Sequence, residues 1–302
     1  MEVTKGLLPL ALASLLSLPA VAESYASPAP HKVTWAINDG PPFHILDGDY
    51  KSQGFCDVLV KEMIRAMPDS DHEVLTIPPA RIARLREKQA PVCFPCMIKR
   101  ANTPVTRYSR ATLYYQPHQL IVNAASARVI RQRYGEPVDF AALLQDNSLQ
   151  FGRPLGRAYG EVLQPLLDRY SKEQRNHRIL SGKSTLALNM VALRRLDYTL
   201  DYPVIGRYFK LTEENSLRYL PIAQNQHSPI TGAIGCSNTE WGQETVDRID
   251  SALAKVLKSE NYISSLGFWF AEDDPAFWQH YKEHVLKDIS GDNNEWKAEL
   301  SE

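Results

Sequence analysis

The sequence predicts an α/β protein of more than one domain, and three observations carry that expectation. Strand-like and helix-like segments alternate from His31 onward, the pattern of helices packed on sheets rather than of a sandwich. The chain has 302 residues, more than one hydrophobic core usually organises. Hydrophobic residues make up 44% and charged residues 23%, the balance of a soluble globular protein with ample core material. A formal net charge of −1 gives no basis for nucleic acid or an anionic membrane as the main partner. No segment repeats or is low in complexity.

The first 22 residues follow different rules. Lys5 precedes an apolar run from Leu7 to Leu18, and Pro19-Ala20-Val21-Ala22 follows it. A basic start, a short apolar stretch and small residues before a cut after Ala22 predict a secretory signal peptide. The run is short for a bilayer span, and no later stretch of about 18 apolar residues exists. The mature protein is therefore expected to be soluble and periplasmic, with Ser24–Pro30 as a flexible leader.

Val33–Ile37 reads as the first strand, broken by Asn38-Asp39-Gly40-Pro41-Pro42. Phe55, Val58, Leu59, Met63 and Met67 fall on one face of a helix beginning near Gly54. Glu73–Ile77 is the next strand, Ile82–Lys88 a short helix and Val92–Met97 a third strand. Leu120-Ile121-Val122 is an apolar strand leading into the small, polar stretch Asn123–Ser126. A second unit opens with Leu149-Gln150-Phe151 and Gly152–Gly160, then a helix with Tyr159, Val162, Leu163, Leu166, Leu167 and Tyr170 on one stripe. A helix over about Ser184–Arg195 precedes a strand at Asp197–Leu200. Pro221–Pro229 is a polar, proline-bounded connector to the strand Ile230–Cys236. Ser237-Asn238-Thr239-Glu240 is a capping-box pattern opening a helix with Val246, Ile249, Leu253, Val256 and Leu257 inside. The charged tail from about Asp288 is expected to fray.

Export changes the meaning of Cys56, Cys93, Cys96 and Cys236, because an even count in an oxidising compartment favours structural disulfides. The spacing Cys93-Phe94-Pro95-Cys96 also permits a redox pair or half a zinc site. It follows Ala90-Pro91-Val92 at a strand rather than a helix start, and there is no second such pair. No His cluster stands out at ligand spacing, so no metal and no cofactor are expected.

Four segments together resemble the family-3 solute-binding proteins of polar amino-acid ABC transporters and related sensors. Trp35–Phe43 with Gly48 and Gly54-Phe55-Cys56-Asp57 is similar to that family's first strand, ligand loop and first helix. Lys99–Pro104 through Tyr108-Ser109 is similar to its T-x-x-R…F-S segment, with Arg100 and Arg107 both eligible for the arginine. Leu193–Asp201 resembles its L-x-x-G-R-x-D-A-x-x-x-D stretch without the Gly, and Thr231–Cys236 its return strand. The resemblance spans about residues 31–270. It implies a two-lobe periplasmic-binding fold of type II, with mixed sheets, helices on both faces and two hinge crossovers. Residues 31–122 and 232–290 would form the first lobe, 124–230 the second, and 291–302 a flexible tail. It also implies a Cys93–Cys236 bridge, leaving Cys56 to pair with Cys96.

In such a fold a small amino-acid-like ligand, an amino acid or small organic acid, would lie between the lobes. Arg100 would hold a carboxylate with its planar fork. Asp201, just after a strand, would accept an ammonium, and Asp39 sits in the loop that would face the cleft. Arg157, in Gly156-Arg157-Ala158-Tyr159 at a helix start, would help attract an anion. Phe43 would stack on the ligand, with Tyr114, Tyr115 and Tyr202 as walls or core, Trp35 as core, and His44 within reach of the cleft. The implied partner is a membrane permease or a receptor, and the protein is expected to be a monomer. The expected role is non-catalytic; the rival readings are a sensory module and a dehydratase-like enzyme on the same fold. No carboxylate pair or nucleophile–base spacing in the sequence supports the enzyme.

Overall fold

A computed structural model of the chain describes Met1, residues 30–170, 176–181, 185–213, 217–287 and residue 289. Apart from Met1, the predicted signal peptide lies outside the described residues, as does the tail 291–302.

Along the chain run β1 (His31–Ile37), α1 (Phe55–Ala66), β2 (Ser70–Thr76), α2 (Pro79–Glu87), β3 (Cys93–Ile98) and β4 (Thr106–Tyr115). There follow β5 (Gln119–Val122), α3 (Ala124–Tyr134), α4 (Phe140–Leu143), β6 (Phe151–Pro154), α5 (Gly160–Tyr170) and β7 (His177–Leu180). Next come α6 (Leu186–Ala192), β8 (Tyr198–Asp201), α7 (Pro203–Thr212) and β9 (Arg218–Leu220). The return strand β10 (Ile230–Ser237) leads into α8 (Glu240–Val256), α9 (Glu260–Leu266) and α10 (Phe277–Tyr281). Single π-helical turns occupy Gly267–Ala271 and Lys282–Leu286.

The strands form two sheets of mixed direction, in the orders β2-β1-β3-β10-β4 and β7-β6-β8-β5-β9. This is the expected two-lobe α/β architecture. In the first sheet β1 runs parallel to β2 and β3, while β10 is antiparallel to β3 and β4. The carboxyl ends of β1, β3 and β4 therefore lie at one edge, the end where open α/β sheets collect functional groups.

The chain crosses between sheets earlier than the sequence suggested. Gln119–Val122 is not the last strand of the first lobe: it pairs with Tyr198–Asp201 on one side and Arg218–Leu220 on the other. Its apolar run is what a strand covered on both faces requires, so the first crossover is Gln116-Pro117-His118. Asn123, expected in a connector, instead caps α3, its side chain accepting from the N–H groups of Ala125 and Ser126 at 3.0 Å each. The return crossing runs between the Val138–Ile222 bridge and the start of β10 at Ile230.

The first lobe's core joins Phe55, Leu59 and Met63 of α1 to Ile249 and Leu253 of α8 and to Trp35 and Leu113 of the sheet. Thr239 caps α8 by accepting from Gly242 N–H at 3.2 Å. The cysteines form two bridges, Cys93–Cys236 and Cys56–Cys96, all on β3, β10 and α1. Cys93 and Cys96 do not pair with each other, which removes the redox reading of their spacing. A separate core under β5, β6 and β8 contains Leu120, Phe151, Tyr198 and Leu200.

The family resemblance implies an open cleft between the lobes. Over part of the junction the gap is closed. The first lobe's apolar cluster continues through Tyr115 and Tyr202 to Ile205 and Phe209 of α7. Arg207 of α7 pairs with Glu272 and, at 3.0 Å, with Asp273, and lies 5.2 Å over the Phe268 ring.

Candidate functional site

The loop after β1 brings Phe43 to the junction, and α1 holds that loop. The first amides of α1 are taken up by backbone carbonyls: Phe55 N–H donates to Pro42 O at 3.2 Å and Cys56 N–H to Phe43 O at 3.1 Å. A Cβ at Gly54 would stand 2.3 Å from Phe43 O, so only glycine allows the helix start to approach so closely. The buried Asp57 carboxylate then ties the loop from inside. It accepts from Ile45 N–H at 3.0 Å and Gly54 N–H at 3.2 Å, and its other oxygen is 2.8 Å from His44 Nδ1. His44, expected within reach of the cleft, is thus a buried structural residue.

Phe43, Arg157 and Asp201 converge from three segments. Asp201 closes β8 and is 1% exposed. Its Oδ1 accepts Tyr202 N–H at 2.9 Å, and its Oδ2 lies 3.2 Å from Arg157 Nη2. That contact is an ion pair without an aligned N–H, because Oδ2 has no hydrogen-bond partner. The Arg157 guanidinium also sits 5.6 Å from the centre of the Phe43 ring. Burial raises the Asp201 carboxyl above its ordinary range, with Arg157 pulling the other way. Burial likewise opposes the charge on Arg157, but Asp201 and the nearby hydroxyls outweigh it, holding the guanidinium above its usual value.

Around this pair stands an aromatic shell from both lobes. Tyr202 stacks on His118 at 4.0 Å and on Tyr115 at 4.8 Å; Tyr159 lies 5.2 Å from His118, and Phe43 5.9 Å from Tyr115. Tyr115, His118, Tyr159 and Tyr202 are all buried. Among the described residues there is no hydrogen-bond partner for the three hydroxyls or for either His118 ring nitrogen. Polar atoms buried without partners are rare because each forfeits its hydration, so their clustering here is informative. Burial, helped by Arg157, pushes His118 down to about 3, and the imidazole is neutral at ordinary pH. Burial raises all three tyrosines.

Tyr159 also lines an adjoining cavity of about 400 Å³, bordered by the end of β3 with Lys99 and Arg100, the start of α5, and the return crossover into β10. Arg100, exposed, borders it and has no carboxylate partner among the described residues. Arg107 lies opposite Cys236 at the amino end of β4, the edge away from the carboxyl ends of β1, β3 and β4. Asp39 is partly buried in the β1 loop. Arg157 is displaced from its expected role: α5 begins only at Gly160, and the Arg157 side chain turns to Asp201 instead of capping an anion.

Sequence reasoning left Tyr115 and Tyr202 between wall and core, assigned Tyr159 to a helix stripe, and missed His118 altogether. His118 sits in the first crossover, and placing that crossover too late hid it. Tyr114 points to the opposite face of β4 from Tyr115, stacking on His280 at 4.9 Å and His284 at 5.7 Å. Contrary to the sequence reading, these two imidazoles and Glu283 do bring three donor atoms within 4.8 Å of one another, at one helical turn's spacing and apart from the junction. Among the described residues no helix is long and apolar enough to cross a membrane.

No family model and no curated protein matches this sequence. Solved structures do match it. The probable amino-acid ABC transporter extracellular-binding protein ytmK from Bacillus subtilis is 15% identical, with a TM-score of 0.55 over 81% of this chain and 99% of that one. An ancestral amino acid-binding protein, described as a precursor of cyclohexadienyl dehydratase, is 12% identical, with a TM-score of 0.58 over 80% and 95%. The periplasmic VFT2 domain of BvgS from Bordetella pertussis is 16% identical, with a TM-score of 0.52 over 80% and 94%. At these identities the likeness establishes the fold, a two-lobe periplasmic-binding fold of type II.

Proposed function

We propose that this chain is an exported solute-binding protein whose lobes close on a small polar guest, an amino acid or small organic acid. The observation that carries the reading is the convergence at the lobe junction of buried hydroxyls, imidazole nitrogens and a carboxylate oxygen that find no hydrogen-bond partner among the described residues. They come from β4, the first crossover, the segment before α5, and β8 with the residue after it, so a guest among them touches both lobes. Such a guest favours closure by its differential affinity for the closed form, and no covalent step is needed. The site residues in this reading are Phe43, Arg100, Arg157 and Asp201 with Tyr115, His118, Tyr159 and Tyr202, and Asp39 at the loop's edge. Two disulfides agree with an oxidising compartment, and the predicted signal peptide with export to the periplasm.

The closed form would be read by a permease in transport or by a receptor in sensing. The neighbours include a probable ABC transporter binding protein and a periplasmic domain of BvgS, so both partners fit the fold. Native mass spectrometry of gently purified protein, then a thermal-shift screen of amino acids and small acids, tests the reading. A retained or added guest should raise the melting temperature, since it binds only the folded state. No adduct and no shift with any compound would remove the proposal. Turnover of a guest without a partner would favour the dehydratase-like alternative, which the ancestral neighbour motivates.

A further inference from the structure

We propose that the guest is a small organic anion lacking an ammonium group, because the protein's own Arg157 already fills the cation position between Asp201 and Phe43. The inference rests on the reading that the lobe junction binds a small molecule.

A zwitterionic guest needs a carboxylate free to receive its ammonium. Asp201 is a buried carboxylate of the junction that already has a counter-charge: Oδ1 accepts Tyr202 N–H at 2.9 Å, and Oδ2, without a hydrogen-bond partner, faces the Arg157 guanidinium at 3.2 Å. An ammonium or guanidinium guest would also seek an aromatic face. The ring offered by Phe43 carries the same Arg157 guanidinium, 5.6 Å from its centre. One side chain thus occupies both parts of a cation subsite, from within the second lobe, against a ring from the first.

What remains unfilled is suited to an acceptor. Carboxylates only accept hydrogen bonds, and the partnerless groups beside the pair include the hydroxyls of Tyr115, Tyr159 and Tyr202, each able to donate. The adjoining cavity of about 400 Å³, of a size for a small molecule, is bordered by the exposed fork of Arg100 and by the start of α5. The charge balance points the same way. Arg153 and Arg157 act on the Tyr159 hydroxyl, and Arg157 and Arg100 on that of Tyr202, with Asp201 the carboxylate acting on both. Of the charged side chains lining the cavity, Lys99 and Arg100 outnumber Glu161, a balance that favours an anion. His118 adds no charge, but its ring nitrogens offer one donor and one acceptor.

Matched pairs that differ by one amino group test this directly: glutarate against glutamate, propionate against alanine, and 3-phenylpropionate against phenylalanine. Isothermal titration of the full chain with each is expected to show, for at least one pair, the acid binding about tenfold or more tighter than its amino acid. Arg157→Ala is expected to reverse that ranking by freeing Asp201, and methylguanidinium added to the variant should restore it. Arg100→Ala should weaken the acid about tenfold or more. Amino acids binding as tightly as, or more tightly than, their acids in the wild type would overturn the inference while leaving the binding reading intact. Binding of neither class would overturn both. If Arg157→Ala does not fold, the wild-type ranking decides alone, because it needs no variant.

Discussion

At the scale of single residues, Asp201 concentrates the energetics of the junction. Its carboxylate is buried at the end of β8, and the Arg157 guanidinium is its counter-charge. Asp201→Asn keeps the shape and the Tyr202 N–H contact but leaves a largely desolvated cation unpaired. Removing one member of such a pair costs about 3 kcal/mol, and urea unfolding is expected to show a loss of that order. A loss below about 0.5 kcal/mol would mean that Arg157 is solvated and that the pair holds nothing together. Asp201 and Phe43 were legible as candidates because a strand end and a loop after the first strand are recognisable in one dimension. That Arg157 reaches Asp201 was not, since the contact depends on β6 lying beside β8. Arg157 itself was read for its local helix start, and the long-range partner outweighed that local preference.

At the scale of elements, the start of α1 sets where Phe43 stands. Its amides bind the carbonyls of Pro42 and Phe43, and Gly54 permits the approach. In Gly54→Ala the new methyl meets backbone at 2.3 Å, which a side-chain rotation cannot relieve. The loop must shift, with an expected stability loss of about 1–3 kcal/mol and a displaced Phe43. The indole of Trp269 reports the movement, because its Nε1–H donates to Gln53 O at 2.9 Å. Its NMR signal is expected to shift in the variant, and an unchanged signal with unchanged melting temperature would refute the argument. The α1 pattern was visible because Phe55, Leu59 and Met63 repeat at helical spacing and all face the core. β4 was not visible: Arg107 and Arg110 interrupt its apolar residues, and only the pairing with β10 shows that the strand runs unbroken from Thr106 to Tyr115. α7 was missed although Pro203 at its first turn is a helix-start signal, because Asp201 and Tyr202 before it were read only for their place at the cleft.

At the scale of the whole molecule, the two lobes are joined by an aromatic contact and an ionic one, and His118 in the first crossover couples that closure to pH. The imidazole is fully buried, stacked on Tyr202 and near Tyr159, with the Arg157 cation close enough to disfavour its protonation. Its value falls from an ordinary 6.5 to about 3 on folding, burial being the larger cause. Between those limits the unfolded chain binds a proton that the folded chain does not, so stability rises with pH across that window and is level above it. As the pH drops below 6.5, His118 should therefore destabilise the closed fold by about 1.4 kcal/mol per pH unit. Asp201 works in the opposite sense near its own range, since its raised carboxyl takes up a proton in the folded state first. Comparing wild type with His118→Gln, which stays neutral throughout, isolates the histidine. Urea midpoints measured from pH 7 to pH 4.5 are expected to fall more steeply for the wild type, the two curves diverging as the pH falls. Parallel curves would show that the ring already meets solvent, and that the crossover between the lobes is open where the geometry has it shut.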